Sequence, residues 1–238
     1  MSEGMKMNLA PVTAAVLLLA TIGVHGADAQ TMKTRQQANA AVAEPIHVGN
    51  VPDNLKVPEG NHAFLEGHGV GTQNYVCSFS ASSSSGVAYT LFTPQAALFS
   101  DDFKQLTSHF FSPSPTEINT NPAVIAPGPI RVTWQHSRDS SIVRGKVRPA
   151  DPNVPGDLGD SSTDPHFVAK DAVAWLKVTV TATADGPTGG DTLTKTTFVQ
   201  RLNTAGGLAP KTGCDSPANL GNQAFVPYTA DYFFYTDQ

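Results

Sequence analysis

Apolar and polar residues alternate in short runs over most of the chain after Pro58. The runs are rich in β-branched and aromatic residues, and clusters of Gly, Pro, Ser, Asn and Asp separate them, which is typical of strands joined by turns. They span 70–79, 87–93, 103–111, 129–137, 141–147, 174–184, 192–203 and 224–236. Because strand follows strand without an intervening amphipathic helix, the pattern predicts an all-β fold, an antiparallel β-sandwich or a barrel-like single domain with long loops.

The segments between the runs predict how the strands are connected. The serine-rich stretch 80–86 and the sequence "SRDS" at 137–140 are expected to be hairpin loops, and "DGPTGGD" at 185–191 has the residues that turns require. The proline- and aspartate-rich stretch 148–167 has no alternation. We expect it to be a long surface loop, and such loops are often functional.

The first 29 residues have the features of an export signal. Lys6 supplies a positive charge, residues 9–24 form an apolar core, and "ADA" at 27–29 fits the small residues of a cleavage site. The sequence therefore predicts a signal peptide at 1–29, a loose tail or linker at 30–56 and one β domain at 57–238. Export would place the protein in the periplasm or the medium, without a stable membrane span after cleavage.

The chain has two cysteines, Cys77 and Cys214. In an oxidising compartment a single pair without C-x-x-C spacing most simply forms one structural disulfide. Closing so long a loop is worth about 5 kcal/mol on the chain-entropy estimate.

The formal net charge is −5. This balance gives no electrostatic reason to expect nucleic acid or an anionic membrane as a partner. The sequence leaves the oligomeric state open.

Glycines occupy positions 67, 69 and 71, directly before a strand. A dinucleotide loop needs G-x-G-x-x-G followed by a helix, whereas this spacing is G-x-G-x-G and the chain continues as a strand. The glycines are better explained by a bulge or the close approach of another backbone. We therefore predict no nucleotide cofactor.

Two groups of polar residues are candidates for chemistry. Glu66 and His68 share one face of an extended strand and could bind a divalent ion if His109 or His136 supplied a third ligand. A polar strand edge explains them equally well, so we predict no metal. His109, His136 and Asp139 could act as general base and orienting carboxylate, with Ser137, Ser140 or Ser141 as nucleophile, but the chain lacks a G-x-S-x-G elbow.

Trp134 and Gln200 are candidates for binding a ligand. Trp134 could contribute to an aromatic platform for a sugar or a small apolar ligand, although strand aromatics are more often core residues. Gln200 lies in a run that needs one face buried. If its amide points inward it must find partners, which would make it structural or ligand-facing.

Several longer motifs point to a known family. They are "VPEGNHAFLEGHGVGTQNYVC", "LFTPQAALF", "TKTTFVQRLNTAGGLAPKTGC" and "VPYTADYFFY". From about Val57 to Tyr235 the chain resembles DUF3455, a family of exported bacterial and fungal proteins with no established activity. Some fungal relatives carry a malate dehydrogenase label, for which the missing fingerprint gives no support here. The family pattern also includes an Asp-Gly-Ser turn, where this chain has "DSS" at 139–141.

Together these features predict an exported all-β module that is non-catalytic and acts in binding or structure. Its expected partner is a carbohydrate or another envelope component. The alternative is a metal-assisted or acid–base hydrolase that uses the His/Asp cluster.

Overall fold

The protein is all-β, as predicted. A computed structural model describes residues 45–115 and 128–238. The strands are β1 (His62–Phe79), β2 (Val87–Phe99), β3 (Gln105–Pro113), β4 (Ile130–His136), β5 (Ile142–Lys146), β6 (Ser161–Ser162), β7 (Trp175–Ala184), β8 (Phe198–Gly206) and β9 (Gln223–Thr236). The only helical elements of the described residues are 3₁₀ turns at Asp53–Leu55 and Pro217–Asn219. Eight of these strands correspond to the eight alternating runs, and β6 lies inside the predicted loop 148–167.

The strands close into a barrel. Antiparallel pairing follows the order β5-β4-β3-β2-β1-β9-β8-β7-β6, and β5 pairs in addition with β7. The closing pairs run from Ile142↔Ala184 to Lys146↔Thr179. Eight strands thus form a closed antiparallel barrel, and β6 is an extra strand that pairs with β7 at Trp175. Of the two predicted architectures, the barrel is the one that forms.

The glycines of β1 let neighbouring groups approach its inner face. A Cβ atom at Gly69 would lie 2.7 Å from the Tyr232 ring, and one at Gly71 would lie 2.1 Å from the carbonyl oxygen of Gln95. A side chain at either position would therefore overlap a neighbouring strand. The predicted close approach is confirmed, and no helix follows these glycines that could form a phosphate site.

One end of the barrel interior is filled with apolar side chains. We call it the packed end, and it is where the β4–β5 turn and the β7–β8 loop lie. Its core is formed by residues with 0 % exposure, namely Leu98, Val143, Leu193, Val199 and Phe234. The opposite end, where β1 finishes and β2 begins, we call the open end.

A second apolar layer covers the outside of β8 and β9. Leu55, from the described part of the predicted tail, is fully buried there against a cluster that includes Leu202 and Phe233. Val168 and Ala172, from the segment before β7, belong to the same cluster. The part of β9 from Tyr232 to Thr236 is therefore buried on both faces, and on β8 the inward-facing Val199 and the outward-facing Gln200 are both buried. The predicted signal peptide at 1–29 lies outside the described residues.

The predicted disulfide joins Cys77 of β1 to Cys214, which lies in the loop between β8 and β9. It anchors this loop to the barrel wall at the open end. No helix within 45–115 and 128–238 is long and apolar enough to cross a bilayer.

The substitution Gly71→Ala should destabilise the barrel by about 1–3 kcal/mol, because its methyl group would meet the backbone of β2. Urea denaturation would measure the change. Gly49→Ala is the matched control, since a Cβ there meets nothing within 4 Å, and its effect should stay within about 0.5 kcal/mol. Equal midpoints for the two variants would contradict the proposed role of Gly71.

Candidate functional site

A cavity of about 460 Å³ occupies the open end of the barrel. Its volume lies within the range of small-molecule sites, roughly 300–1,000 Å³. Most of its lining is apolar or aromatic. The lining residues are Gln73, Tyr75, Leu91, Pro94, His109, Phe111, Val132, Trp134, Val147, Thr163, Val173, Ala174, Leu176, Val178, Arg201, Leu208 and Tyr232. Leu91 and Leu208 are partly exposed and mark the mouth.

The cavity wall contains a cluster of aromatic rings. Trp134 and His109 lie opposite each other on β4 and β3, and their rings stack with centroids 4.5 Å apart. Tyr232 contacts both rings, at 5.3 Å from His109 and 5.9 Å from Trp134. Because His109 covers one face of the indole, Trp134 does not offer that face to a ligand.

His109 is a neutral imidazole. Burial is the largest cause that lowers its pKa, the hydrogen bond to Thr133 opposes this effect, and the nearby Arg201 charge lowers the pKa as well, so that the net pKa is about 3. The Nδ1–H group donates to the carbonyl oxygen of Thr133 at 3.0 Å. This bond fixes the tautomer and leaves Nε2 as the unprotonated nitrogen.

Three lining residues have buried nitrogen atoms without a hydrogen-bond partner. They are Gln73 Nε2, Trp134 Nε1 and Arg201 Nε. Gln73 and Trp134 are each only 1 % exposed. Three further unpaired atoms of the described residues, on Thr107, Ser114 and Trp175, belong to residues that do not line the cavity. Since buried polar groups are nearly always paired, this set of donors needs an explanation.

Two tyrosine hydroxyls lie beside these donors. The hydroxyls of Tyr228 and Tyr232 are 3.0 Å apart. Burial raises the pKa of Tyr232, while the Arg201 charge partly offsets the rise. The amide of Gln73 lies close to the Tyr228 hydroxyl without forming a hydrogen bond of good geometry. Arg201 lies close to the Tyr232 hydroxyl in the same way. Both phenols are neutral, so neither is a counterion for Arg201.

The predicted catalytic residues His136 and Asp139 lie at the packed end, in and beside the β4–β5 turn. His136 Nδ1 is 2.8 Å from Asp139 Oδ1. The carboxylate also accepts bonds from the backbone N–H and hydroxyl of Ser141 and of Thr192, at 2.6–3.0 Å. Ser141 is fully buried and donates to Asp139, so its hydroxyl does not point at a histidine. The third candidate, His109, stacks instead on Trp134.

Asp139 holds the hairpin turn against the β7–β8 loop. Burial by itself would raise its pKa, but the hydrogen bonds from Thr192 and Ser141 outweigh burial and lower the pKa below its ordinary range. Gly186 and Gly190 pass so close that a Cβ on either would overlap Asp139. Ser140 has φ +59°, in the left-handed region that favours glycine. In the family pattern that this chain resembles, a glycine occupies the corresponding position of the turn.

Glu66 and His68 lie on the outside of the barrel, away from His109. His68 contacts Asp231 through Nδ1 at 2.7 Å and Asp101 through Nε2 at 2.9 Å. These hydrogen bonds raise the pKa of His68, and burial raises the pKa of Glu66. Within the described part of the chain, no three His, Cys, Asp or Glu side chains are arranged to hold a metal ion.

Gln200 does not line the cavity. It lies on the outer face of β8, is 1 % exposed, and donates from Nε2 to the carbonyl oxygen of Leu55 at 2.7 Å. Its Oε1 accepts a bond from the Tyr235 hydroxyl. Both ends of the amide are thus paired, and they fasten segment 45–57 to the barrel.

A second concavity, of about 540 Å³, lies beside the cavity on the outer surface. Phe92 and Phe225, which are 71 % and 61 % exposed, belong to its lining. Its buried amide, Asn74, is hydrogen-bonded to Thr72 and Gln95. No unpaired polar atom indicates a ligand there among the described lining residues, so we assign the candidate site to the interior cavity.

The sequence indicated Trp134 and Tyr232 as possible platform aromatics and His109 as a candidate for chemistry, but it did not indicate Gln73 or Arg201 as site residues. The available signal was alternation. Gln73 continues the inward face of the glycines at 67, 69 and 71, and Arg201 alternates with Gln200, so only one of the latter pair can face the interior.

The substitution Asp139→Asn should destabilise the protein by about 2–4 kcal/mol at pH 7, because an amide cannot accept all five hydrogen bonds. Because the pKa of Asp139 is lower in the folded than in the unfolded state, the ionised carboxylate stabilises the fold at pH values above the unfolded pKa, near 3.9. This stabilisation is lost progressively as the pH falls below about 3.9. Urea titrations at pH 7 and pH 3 should therefore show a smaller pH effect in the variant than in the wild type. Asp171→Asn, on an exposed residue, is the control, and an equal pH effect in wild type and Asp139→Asn would contradict this role.

Comparison with known families gives one match. The family described as "Protein of unknown function (DUF3455)" matches residues 58–236, which include every strand of the barrel. Comparisons with curated proteins and with solved structures give no match. The barrel, its disulfide and its open-end cavity are therefore features of a chain that belongs to the DUF3455 family.

Proposed function

We propose that the protein is a non-catalytic extracytoplasmic binding module that holds a small ligand inside its barrel. The observation that carries this proposal is the cavity of about 460 Å³ with apolar walls and unpaired N–H donors. Eight-stranded barrels have interiors wide enough for side chains or for one small ligand. Here side chains fill the packed end and leave room at the open end.

The cysteines and the N-terminal sequence support an extracytoplasmic compartment. Both cysteines form the disulfide, and no free thiol remains. Stable structural disulfides are typical of oxidising compartments. Together with the predicted signal peptide at 1–29, this supports export to the periplasm or the medium.

Binding is better supported than catalysis. A hydrolytic triad needs a nucleophile whose hydroxyl donates to a histidine, and a carboxylate that orients the histidine. Ser141 instead donates to Asp139, and the carboxylate oxygens of Asp139 accept hydrogen bonds from the β4–β5 turn and from the β7–β8 loop. Of the hydrolase candidates His109, His136 and Asp139, His136 and Asp139 contact each other, whereas His109 lies apart from them in the cavity wall.

The cavity favours a compact ligand with an apolar body over an extended glycan. Sugars are usually recognised by stacking on an open aromatic face, but His109 stacks on Trp134. Residues such as Val132, Val147, Val173 and Val178 instead offer aliphatic walls. A carbohydrate or another envelope component remains the alternative partner.

Binding of a neutral fluorescent probe tests the proposal. N-phenyl-1-naphthylamine should gain fluorescence with the wild type in a saturable titration. Val132→Phe, which places a ring in the cavity, should weaken binding by at least about tenfold. Val154→Phe makes the same change on an exposed loop residue and should bind as the wild type does.

Thermal unfolding of all three proteins would verify that they are folded. A wild type that does not bind the probe, or a Val132→Phe variant that binds it with unchanged affinity, would refute interior binding.

A further inference from the structure

We infer that the ligand of the barrel cavity is a small amphiphile with a carboxylate group, which Arg201 binds with help from Gln73 and Trp134. The inference rests on the proposed function and adds the chemical class of the ligand. Arg201 places a positive charge inside the barrel that no group of the described residues balances.

Arg201 points into the cavity from β8. It lies opposite Tyr232 on β9, whose ring forms part of the interior aromatic cluster. The adjacent residues on β8, Gln200 and Leu202, face the outer layer instead. Alternation along the strand therefore directs the guanidinium inward.

The guanidinium has no counterion in the described structure. The ion pairs of the described residues do not include Arg201. Neither Asp nor Glu occurs among the described residues that line the cavity. An inward-facing charge is costly unless it is paired, so an anion would be held strongly at this position.

The free donors suit a carboxylate. One terminal nitrogen of Arg201 donates to the carbonyl oxygen of Ala174 at 2.8 Å, which fixes the side chain. Its Nε–H remains unpaired, as do the N–H groups of Gln73 and Trp134. A carboxylate offers about four acceptor positions and no donor. An ion of this kind can pair with the guanidinium and has acceptor positions left for a further N–H donor of the wall, whereas an alcohol has fewer acceptor positions and brings a donor of its own.

The rest of the cavity suits an apolar body. Beyond the donors the lining consists mainly of Val, Leu, Phe and Pro side chains, up to the mouth at Leu91 and Leu208. Burial of methylene groups against them favours the binding of an apolar chain. The site thus combines one charged end with an apolar channel, as a medium-chain or aromatic carboxylate requires.

Competition by decanoate and decanol tests the inference. These two molecules have the same chain length and differ at the head group. Each competitor is added at pH 7.5, below its own aggregation concentration, to the full-length mature protein with bound N-phenyl-1-naphthylamine. The loss of probe fluorescence measures displacement. The wild type should bind decanoate about 10- to 100-fold more tightly than decanol.

Arg201→Met keeps an unbranched apolar stem and removes the charged guanidinium. It should lose most of the 10- to 100-fold preference for decanoate while its affinity for decanol changes little. Arg138→Met removes the same charge from an exposed position and should keep the wild-type preference. Gln73→Met removes one donor without touching Arg201 and should weaken decanoate binding about 3- to 10-fold. It provides the test if Arg201→Met does not fold.

The outcomes separate the inference from the proposed function. Equal affinities for decanoate and decanol, with normal probe binding, would overturn the carboxylate inference and leave interior binding intact. Unchanged decanoate binding in Arg201→Met or Gln73→Met would overturn it as well. Failure of the probe, decanoate and decanol alike would refute the proposed function itself and indicate a cavity that holds only water.

Discussion

Backbone hydrogen bonds between β5 and β7, from Ile142↔Ala184 to Lys146↔Thr179, join the two ends of an eight-stranded sheet. An open sheet presents unpaired edges, and closure removes them. Closure also separates the strand side chains into a set that faces the barrel interior and a set that faces outward. The glycines of β1 contribute to this closure, since Gly69 and Gly71 leave room for the adjacent strands to approach. Without closure there would be no enclosed cavity and no interior to bury Trp134 or Phe234.

The two ends of the barrel differ in whether their buried polar groups have hydrogen-bond partners. At the packed end Asp139 accepts five hydrogen bonds and holds the turn of one hairpin against the β7–β8 loop. At the open end Gln73 Nε2 and Arg201 Nε have no hydrogen-bond partner among the described residues. A carboxylate whose acceptors are occupied stabilises the fold and has little left to offer a ligand. Unpaired donors in an apolar cavity are costly to the fold and available for binding.

This contrast explains why the residues with familiar catalytic chemistry are poor indicators of the site. His136, Asp139 and Ser141 look like a hydrolytic set in the sequence, yet their contacts serve the packed end. Arg201 and Gln73 do not stand out in the sequence because single polar residues in a strand are common. Their importance depends on the hydrogen-bond partners and the counterion that they lack in the fold, and the sequence alone does not show this.

The sequence by itself determined the all-β class, eight of the strands, the hairpin turns at 80–86 and 137–140, and the Cys77–Cys214 pair. These follow from local alternation, from the backbone preferences of Gly, Pro, Asn and Asp, and from having only two cysteines. Alternation also showed that Gln200 and Arg201 face opposite sides of β8. Only the tertiary structure decided which side is the interior, because segment 45–57 buries the outer face of β8 as fully as the barrel buries the inner one. Closure and the cavity likewise depend on contacts between residues far apart in the chain, such as β5 with β7, which no local pattern specifies.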